Sequence, residues 1–268
     1  MPSLNGYGTL IEGNNSTSAV DTGAETFVTE GLSKVLKINN ICNNEHLEDC
    51  GLNKKITTLN GSIITFPEKM SELNPLLTSV SVFGGFSAID TKAAAFETVN
   101  GESIAIFYNP NCQMDMNERS TVYHGYYYFI YPKICANFVF DLNGNKGPNT
   151  VGKDIGFMTA LYSSDSIIVA PQLPTQMAAG TNAKVKQQEA VSICKNQDGE
   201  LRLPNIDELV AIFVNQNLLY GSTYTASTAY WSSNLAPNKH AWGMGMESAA
   251  VWCYNTNTTT WSVHCVKR

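Results

Sequence analysis

Apolar residues recur along this chain with two different spacings. Between residues 24 and 40, Val28, Leu32, Val35 and Leu36 fall at steps of three and four, which predicts one helix with a single buried stripe. Residues 41–75 carry no sustained period, and Cys42 and Cys50 stand close enough there to close a short loop. From Ser103 to Tyr108 the period becomes two, with Ile104, Ile106 and Tyr108 on one face of a predicted strand. Tyr126–Tyr131 and Ala136–Leu142 are aromatic and β-branched runs bounded by Pro132 and Gly144, and they predict two more strands. The first half therefore reads as a long helix laid on an antiparallel sheet.

Pro171 to Asn182 holds two prolines and a glycine and has no period, which marks a linker. It divides the chain into a domain at 24–170 and a second at 183–268, and limited proteolysis should cut between two separable cores. A helix is predicted over Ala183–Asn196, with Ala190, Ile193 and Cys194 inward. Another starts at Asn205, a good N-cap with Glu208 three residues on, and buries Ile206, Leu209, Ile212 and Phe213. After Tyr220 come short segments rich in Trp, Ser, Asn and Thr, ending in a strand at Trp261–Val266. The fold class expected for the whole is α+β.

Composition narrows the functions. The 268 residues are 43% hydrophobic and 15% charged, enough apolar material for real cores. A net charge of -6 argues against nucleic acid and anionic membrane surfaces, which need a basic patch. No apolar run reaches membrane-spanning length, and Met1–Gly23 is Gly, Asn and Ser rich without the apolar core of a signal peptide. Either the protein is cytoplasmic or its targeting segment is missing from this chain, and the cysteines favour the second.

The seven cysteines form no CxxC pair, and no His stands at zinc-ligand spacing from them. Six can pair locally: Cys42 with Cys50, Cys112 with Cys135, and Cys194 with Cys265 or Cys253. One stays odd, and we leave out Cys253. Disulfides imply an oxidising compartment. The alternative is seven buried free thiols.

The run Asp141-Leu142-Asn143-Gly144, then Gly147-Pro148-Asn149, then Gly152-Lys153-Asp154 leaves a strand for a long loop. Together with the N-terminal helix it resembles type IV pilin and type II secretion pseudopilin ectodomains, which carry Asp-x-Asn-Gly, Gly-Pro-Asn and Gly-x-Asp before their last strands. The resemblance covers about residues 24–170. The family's apolar N-terminal helix with its processing site is missing here, so the chain reads as that family with its membrane half removed. In the same loop Asp141, Asn143 and Asn145 alternate like the first ligands of a calcium loop, and Asp154 could supply another oxygen. Against this, Lys146 stands where such a loop has Gly, and the competing reading is a loop of Asx turns. No cofactor is expected, and calcium is the one this loop would admit.

In the second half, Arg202-Leu203-Pro204 before Glu208-Leu209, then Tyr230-Trp231-Ser232-Ser233, then Cys265-Val266-Lys267-Arg268 resemble bacterial C-type-lectin-like domains over residues 183–268. That resemblance implies a lectin-like fold, a Cys194–Cys265 bridge from first helix to last strand, and a structural role for Arg202. The calcium-sugar signatures of the superfamily are replaced by Ala236-Pro237-Asn238 and Cys253-Tyr254-Asn255, so the usual calcium-dependent sugar site is not expected. It further implies that ligands are met by the irregular segment 234–257. Some proteins of this fold have that segment diversified by a retroelement that mutates adenines in Asn codons. Asn234, Asn238, His240, Cys253, Tyr254, Asn255 and Asn257 are admissible products of such mutation. Trp242, Met244, Met246, Glu247 and Trp252 are not. Trp231 and Trp261 read as core, while Trp252 and Tyr254 read as surface candidates.

No catalytic set is evident. His46, His124, His240 and His264 lack a neighbouring nucleophile motif, and Phe83-Gly84-Gly85-Phe86 lacks the lysine and spacing of a phosphate loop. The expectation is therefore a non-enzymatic, extracellular, surface-displayed pilin-like adhesin. Its partners would be other pilin subunits and a protein or glycan ligand, with a membrane met only through the missing N-terminal helix. The first alternative is an assembly or structural pseudopilin. The second is an enzyme of the formylglycine-generating type, which would need Cys253 and Cys265 as a thiol pair.

Overall fold

The computed structural model describes residues 23–79, 90–108, 133–162, 167–169, 177–178, 184–197, 201–221, 229–247 and 251–267. In chain order its strands and helices begin with β1 (Ile38–Asn43), β2 (Lys55–Thr57), β3 (Ile63–Thr65), α1 (Met70–Leu73) and α2 (Leu76–Ser79). They continue with β4 (Ala94–Thr98), β5 (Ser103–Tyr108), β6 (Lys133–Asp141), β7 (Ile155–Tyr162), β8 (Ile167–Val169) and β9 (Met177–Ala178). The last are α3 (Gln187–Lys195), β10 (Leu201–Arg202), α4 (Ile206–Val214), α5 (Gln216–Tyr220), β11 (Ala229–Ala236), β12 (His240–Gly245), β13 (Val251–Asn255) and β14 (Cys265–Lys267). Helices and antiparallel sheets make the fold α+β.

The main sheet has the order β1-β4-β5-β6-β7-β8, every neighbour antiparallel. Its two faces bury different residues, as the period of two dictates. Ile104, Ile106 and Tyr108 share one face with Phe96, Ala136 and Ala160, and there the N-terminal helical segment docks Ala24 and Val28. Phe27 stacks on Tyr108 at 5.6 Å. Ala95, Ala105, Phe107, Val139 and Phe157 point the other way, into the main core.

The predicted helix over 24–40 is cut short. A π-helical turn spans Phe27–Gly31 and a 3-10 turn Leu32–Lys34, and the chain is already β1 at Ile38. Val35 and Leu36 are 59% and 42% exposed, so the second half of the supposed stripe faces solvent. Pairing with β4 outweighs the local pattern, helped by Asn39 and Asn40, poor helix formers; Asn39 Nδ2 reaches Glu97 across that pairing at 3.0 Å. Asn43 then caps the turn Asn44–Cys50 by accepting from the Glu45 N–H, and the Cys42–Cys50 disulfide closes this loop.

The two halves do not keep separate cores. The main cluster joins Ala95, Phe107, Val139 and Phe157 of the large sheet to Leu209, Phe213, Leu218, Tyr230, Met244 and Val266. Helix α4 packs against β7 on one side and β11 and β12 on the other. Leu209 to Val214 are all buried, as expected of a helix sandwiched between two layers rather than half exposed on one. A fully buried amide pair seals this contact: Asn137 Nδ2 donates to Asn215 Oδ1 at 2.7 Å, and Asn215 Nδ2 donates back at 3.0 Å. Within the expected linker, Met177–Ala178 is a strand paired with β14, so part of that segment belongs to the sheet β10-β14-β9.

Two further boundaries shift. Helix α3 begins at Gln187 because Val185 exchanges both backbone hydrogen bonds with Trp261. The last strand is only Cys265–Lys267, with Trp261 and Ser262 in isolated bridges. The predicted strand Tyr126–Tyr131 and Cys112 lie outside the described residues.

Candidate functional site

The second half is pinned by local chemistry. Asn205 Oδ1 accepts from the Glu208 N–H and Glu208 Oε2 from the Asn205 N–H, a complete capping box. Arg202 holds the same carboxylate with two bonds of 2.7 Å, so Arg202 is structural, as the lectin resemblance implied. The Cys194–Cys265 disulfide joins α3 to β14. Trp231 is fully buried and donates Nε1–H to the Val185 carbonyl at 2.7 Å. On this frame stands the sheet β11-β12-β13.

The eight expected ligand-binding residues divide three ways. Asn234, Asn238, His240, Asn255 and Asn257 gather at one end of the sheet, where β11 turns into β12 and β13 runs out. His240 pairs with Asn255 across the ladder, and the Thr256 N–H and hydroxyl donate to the Lys239 carbonyl at 2.9 and 3.1 Å. Asn238 and Lys239 adopt φ of 61° and 60°, a left-handed turn unusual for lysine. Leu235 beside it is 69% exposed. Asn234 is already committed, its Oδ1 accepting from the Ile206 N–H at the start of α4. Asn255 Oδ1 accepts from the Asn257 N–H.

Trp252 and Tyr254 lie on the opposite face from His240 and Asn255, because alternate residues of a strand point apart. There they flank Trp261, with ring centroids 6.2 and 5.3 Å away, and Trp231 meets Trp261 at 4.3 Å. Gly243 makes room for this stack: a Cβ there would stand 2.1 Å from the Trp261 ring. Trp252, Tyr254 and Trp261 are all half-buried. Cys253 is different again. It is a free thiol, 4% exposed, and burial pushes its pKa up, so it is packed rather than presented.

The expected metal loop lies between β6 and β7. Asp141 is 1% exposed and its Oδ1 accepts from the Asn143 N–H at 3.1 Å. Burial pushes its carboxyl up to about 6; the N–H groups of Asn143 and Gly144 oppose the rise, and the charge of Asp154 adds to it. Both oxygens of Asp154 accept backbone N–H bonds of 2.7 Å, from Asn149 and Thr150. Asn143 Nδ2 donates to the Gly147 carbonyl at 2.8 Å. Asn145 is exposed, and only its carbonyl is used, by Asn53. Asp141 and Asn143 thus stay inward, Asp154 orients the loop, and Asn145 leaves the set.

Sequence reasoning missed two members. Ser103 is fully buried and pairs with Asp141 across the β5–β6 ladder. Asn149 sits at φ 51° in the same loop. Ser103 Oγ, Asp141 Oδ2, Asn143 Oδ1 and Asn149 Oδ1 are all buried without a hydrogen-bond partner. The Gly147-Pro148-Asn149 run was a visible signal for Asn149, whereas Ser103 is joined only by strand register. Among the described residues no three His, Cys, Asp or Glu side chains come together as a metal-binding group.

His264 is buried and, with Ile212, Gln216, Tyr220, Tyr230 and Met246, lines one small cavity beside α4 and α5. Its Nε2 is hydrogen-bonded to the Tyr220 hydroxyl at 2.5 Å, and burial pushes its pKa down to about 4. It is a core residue. Among the described residues no helix is long and apolar enough to cross a membrane. No protein-family model matches the chain, and no curated protein or solved structure matches it either.

Proposed function

We propose that this chain is the exported, surface-displayed part of a pilin-like subunit whose second half binds a protein or glycan ligand through the end of the β11–β13 sheet. The observation that carries the reading is the gathering of Leu235, Asn238, Lys239, His240, Asn255 and Asn257 at one end of that sheet. They stand on a frame fixed by a disulfide, a capping box and a half-buried ion pair. A rigid support under adaptable polar side chains and one exposed leucine suits recognition, since little conformational freedom is lost on binding. Two disulfides fit export to an oxidising compartment. Pilin subunits as assembly partners, and diversification of the 234–257 segment, remain part of the proposal and rest on the resemblances in the sequence.

The thiol-pair enzyme is disfavoured by a specific contact. Cys265 is bonded to Cys194, which leaves Cys253 without the second thiol that chemistry needs. The test is a screen of the full chain against a glycan array and a panel of cell-surface proteins. A saturable ligand lost in the Leu235→Asp variant supports the reading. Binding that Leu235→Asp, His240→Ala and Asn257→Ala all leave unchanged places the ligand elsewhere and overturns it.

A further inference from the structure

Strand β3 is the open edge of a two-stranded sheet. The outer side of β2 is closed by the loop between β6 and β7: the Thr57 N–H donates to the Asn149 carbonyl at 2.8 Å and the Val151 N–H to the Thr57 carbonyl at 2.9 Å. Asn60 Nδ2 donates to the Tyr220 carbonyl at 2.9 Å and pins the hairpin to the end of α5. Across the hairpin the Thr58 N–H donates to the Ser62 carbonyl and the Phe66 N–H to the Lys54 carbonyl. These bonds bracket the ladder and make Ile56–Ile64 the pair that exchanges both bonds between the strands. The N–H and C=O of Ile63 and Thr65 therefore point away from β2, and among the described residues nothing bonds them. The Ile63 side chain is 71% exposed and Thr65 is exposed too, whereas Ile64 is half-buried against the main core.

We propose that β3 pairs with β3 of a second copy of this chain, antiparallel about a two-fold axis through Ile64. A two-fold contact must be self-complementary. The free groups stand two residues apart, which is the spacing an antiparallel ladder demands. With Ile64 opposite Ile64, Ile63 of each copy faces Thr65 of the other and exchanges both bonds with it. The two N–H and two C=O groups of each copy are then all answered. Ile64 meets its counterpart on one face, and the two Ile63 side chains lie diagonally on the other, an apolar β-branched contact.

Charge does not oppose the pairing. From Gly61 to Pro67 the sequence holds no charged residue. Lys55 of β2 ends three strand spacings, roughly 14 Å, from its counterpart, beyond the screening length of physiological salt. A foreign strand fits less well, because peptide-binding edges take specificity from pockets for alternate side chains, and here Ile63 and Thr65 project into solvent. Three residues of pairing make a small contact, so the dimer is weak and reversible. Each chain uses up its one β3 edge, so pairing there stops at two. The contact lies in the first half and stands or falls apart from the ligand-binding reading.

Sedimentation of the full chain from about 10 µM to about 1 mM should show a reversible monomer–dimer equilibrium. Amide exchange at Ile63 and Thr65 should slow as concentration rises. Thr65→Pro removes an edge N–H that no internal bond uses, and Ile63→Lys sets a charge beside the axis. Each should weaken association by roughly ten-fold or more and leave the Tm of the dilute chain unchanged. If Thr65→Pro does not fold, Ile63→Lys carries the comparison, since that side chain is already exposed. A wild-type chain that stays monomeric throughout overturns the proposal. So does a dimer that neither variant weakens, which belongs to another surface. Exchange at Ile63 and Thr65 that ignores the chain's own concentration overturns the second copy as occupant.

Discussion

Acidification should unfold this protein partly through one residue. His264 is buried against the rings of Tyr220 and Tyr230, and its pKa falls from 6.5 to about 4 because a charged imidazole there would lose its hydration. The unfolded chain therefore binds a proton that the folded chain refuses between those two values. Stability from this residue is complete above about 6.5 and is lost as pH falls toward 4. The full difference is worth on the order of 3 kcal/mol, and roughly 2 kcal/mol of it falls between pH of about 7 and about 4.5. Urea unfolding at those two pH values, for wild type and His264→Gln, isolates the term, since every other titrating group is common to both. His264→Gln should lose stability at neutral pH with the Tyr220 hydrogen bond, yet its pH dependence should be shallower by roughly 2 kcal/mol. Equal pH dependence in the two proteins would refute the reasoning.

Other outcomes follow from the same packing. Replacing Cys194 and Cys265 by alanine opens a bridge spanning 71 positions and should cost about 4.4 kcal/mol in urea unfolding, against about 2.5 kcal/mol for Cys42 and Cys50, which span 8. Glu208→Ala strips Asn205 and Arg202 of one shared acceptor and should cost about 2–4 kcal/mol, read in the same assay. Gly243→Ala should displace Trp261 from the Trp231, Trp252 and Tyr254 stack, visible as altered near-ultraviolet dichroism; an unchanged spectrum contradicts that placement.

Where structure follows from neighbours, it was legible in the sequence. The capping box at Asn205 and Glu208 needs only a spacing of three, and the alternation Ile104, Ile106, Tyr108 needs only the pleat of a strand. The loop bridge Cys42–Cys50 is equally local, and Cys194–Cys265 was reached through the lectin-like motifs. What failed depends on distant partners. Val35 and Leu36 match a helical stripe, but β4 claims the chain two residues later. Residues 24–170 and 183–268 were expected to bury separate cores, yet α4 is apolar on every side and enters the core of the large sheet. That all-round run, Leu209 to Val214, was a visible sign of a helix buried between layers. For the candidate sites, contiguous motifs drew attention to Asp141, Asn143 and the 234–257 segment. They could not show that Cys253 is buried or that Ser103 faces Asp141, because both facts are set by strand register.

The central claim is that the end of the β11–β13 sheet recognises a ligand. The most direct measurement is the affinity of the full chain for the ligand selected by array, compared between wild type, Leu235→Asp and Asp141→Asn. The account predicts loss of binding by roughly ten-fold or more in Leu235→Asp, as for a contact at the centre of an interface, and unchanged affinity in Asp141→Asn. Unchanged affinity in Leu235→Asp, with the ligand still bound, would contradict it.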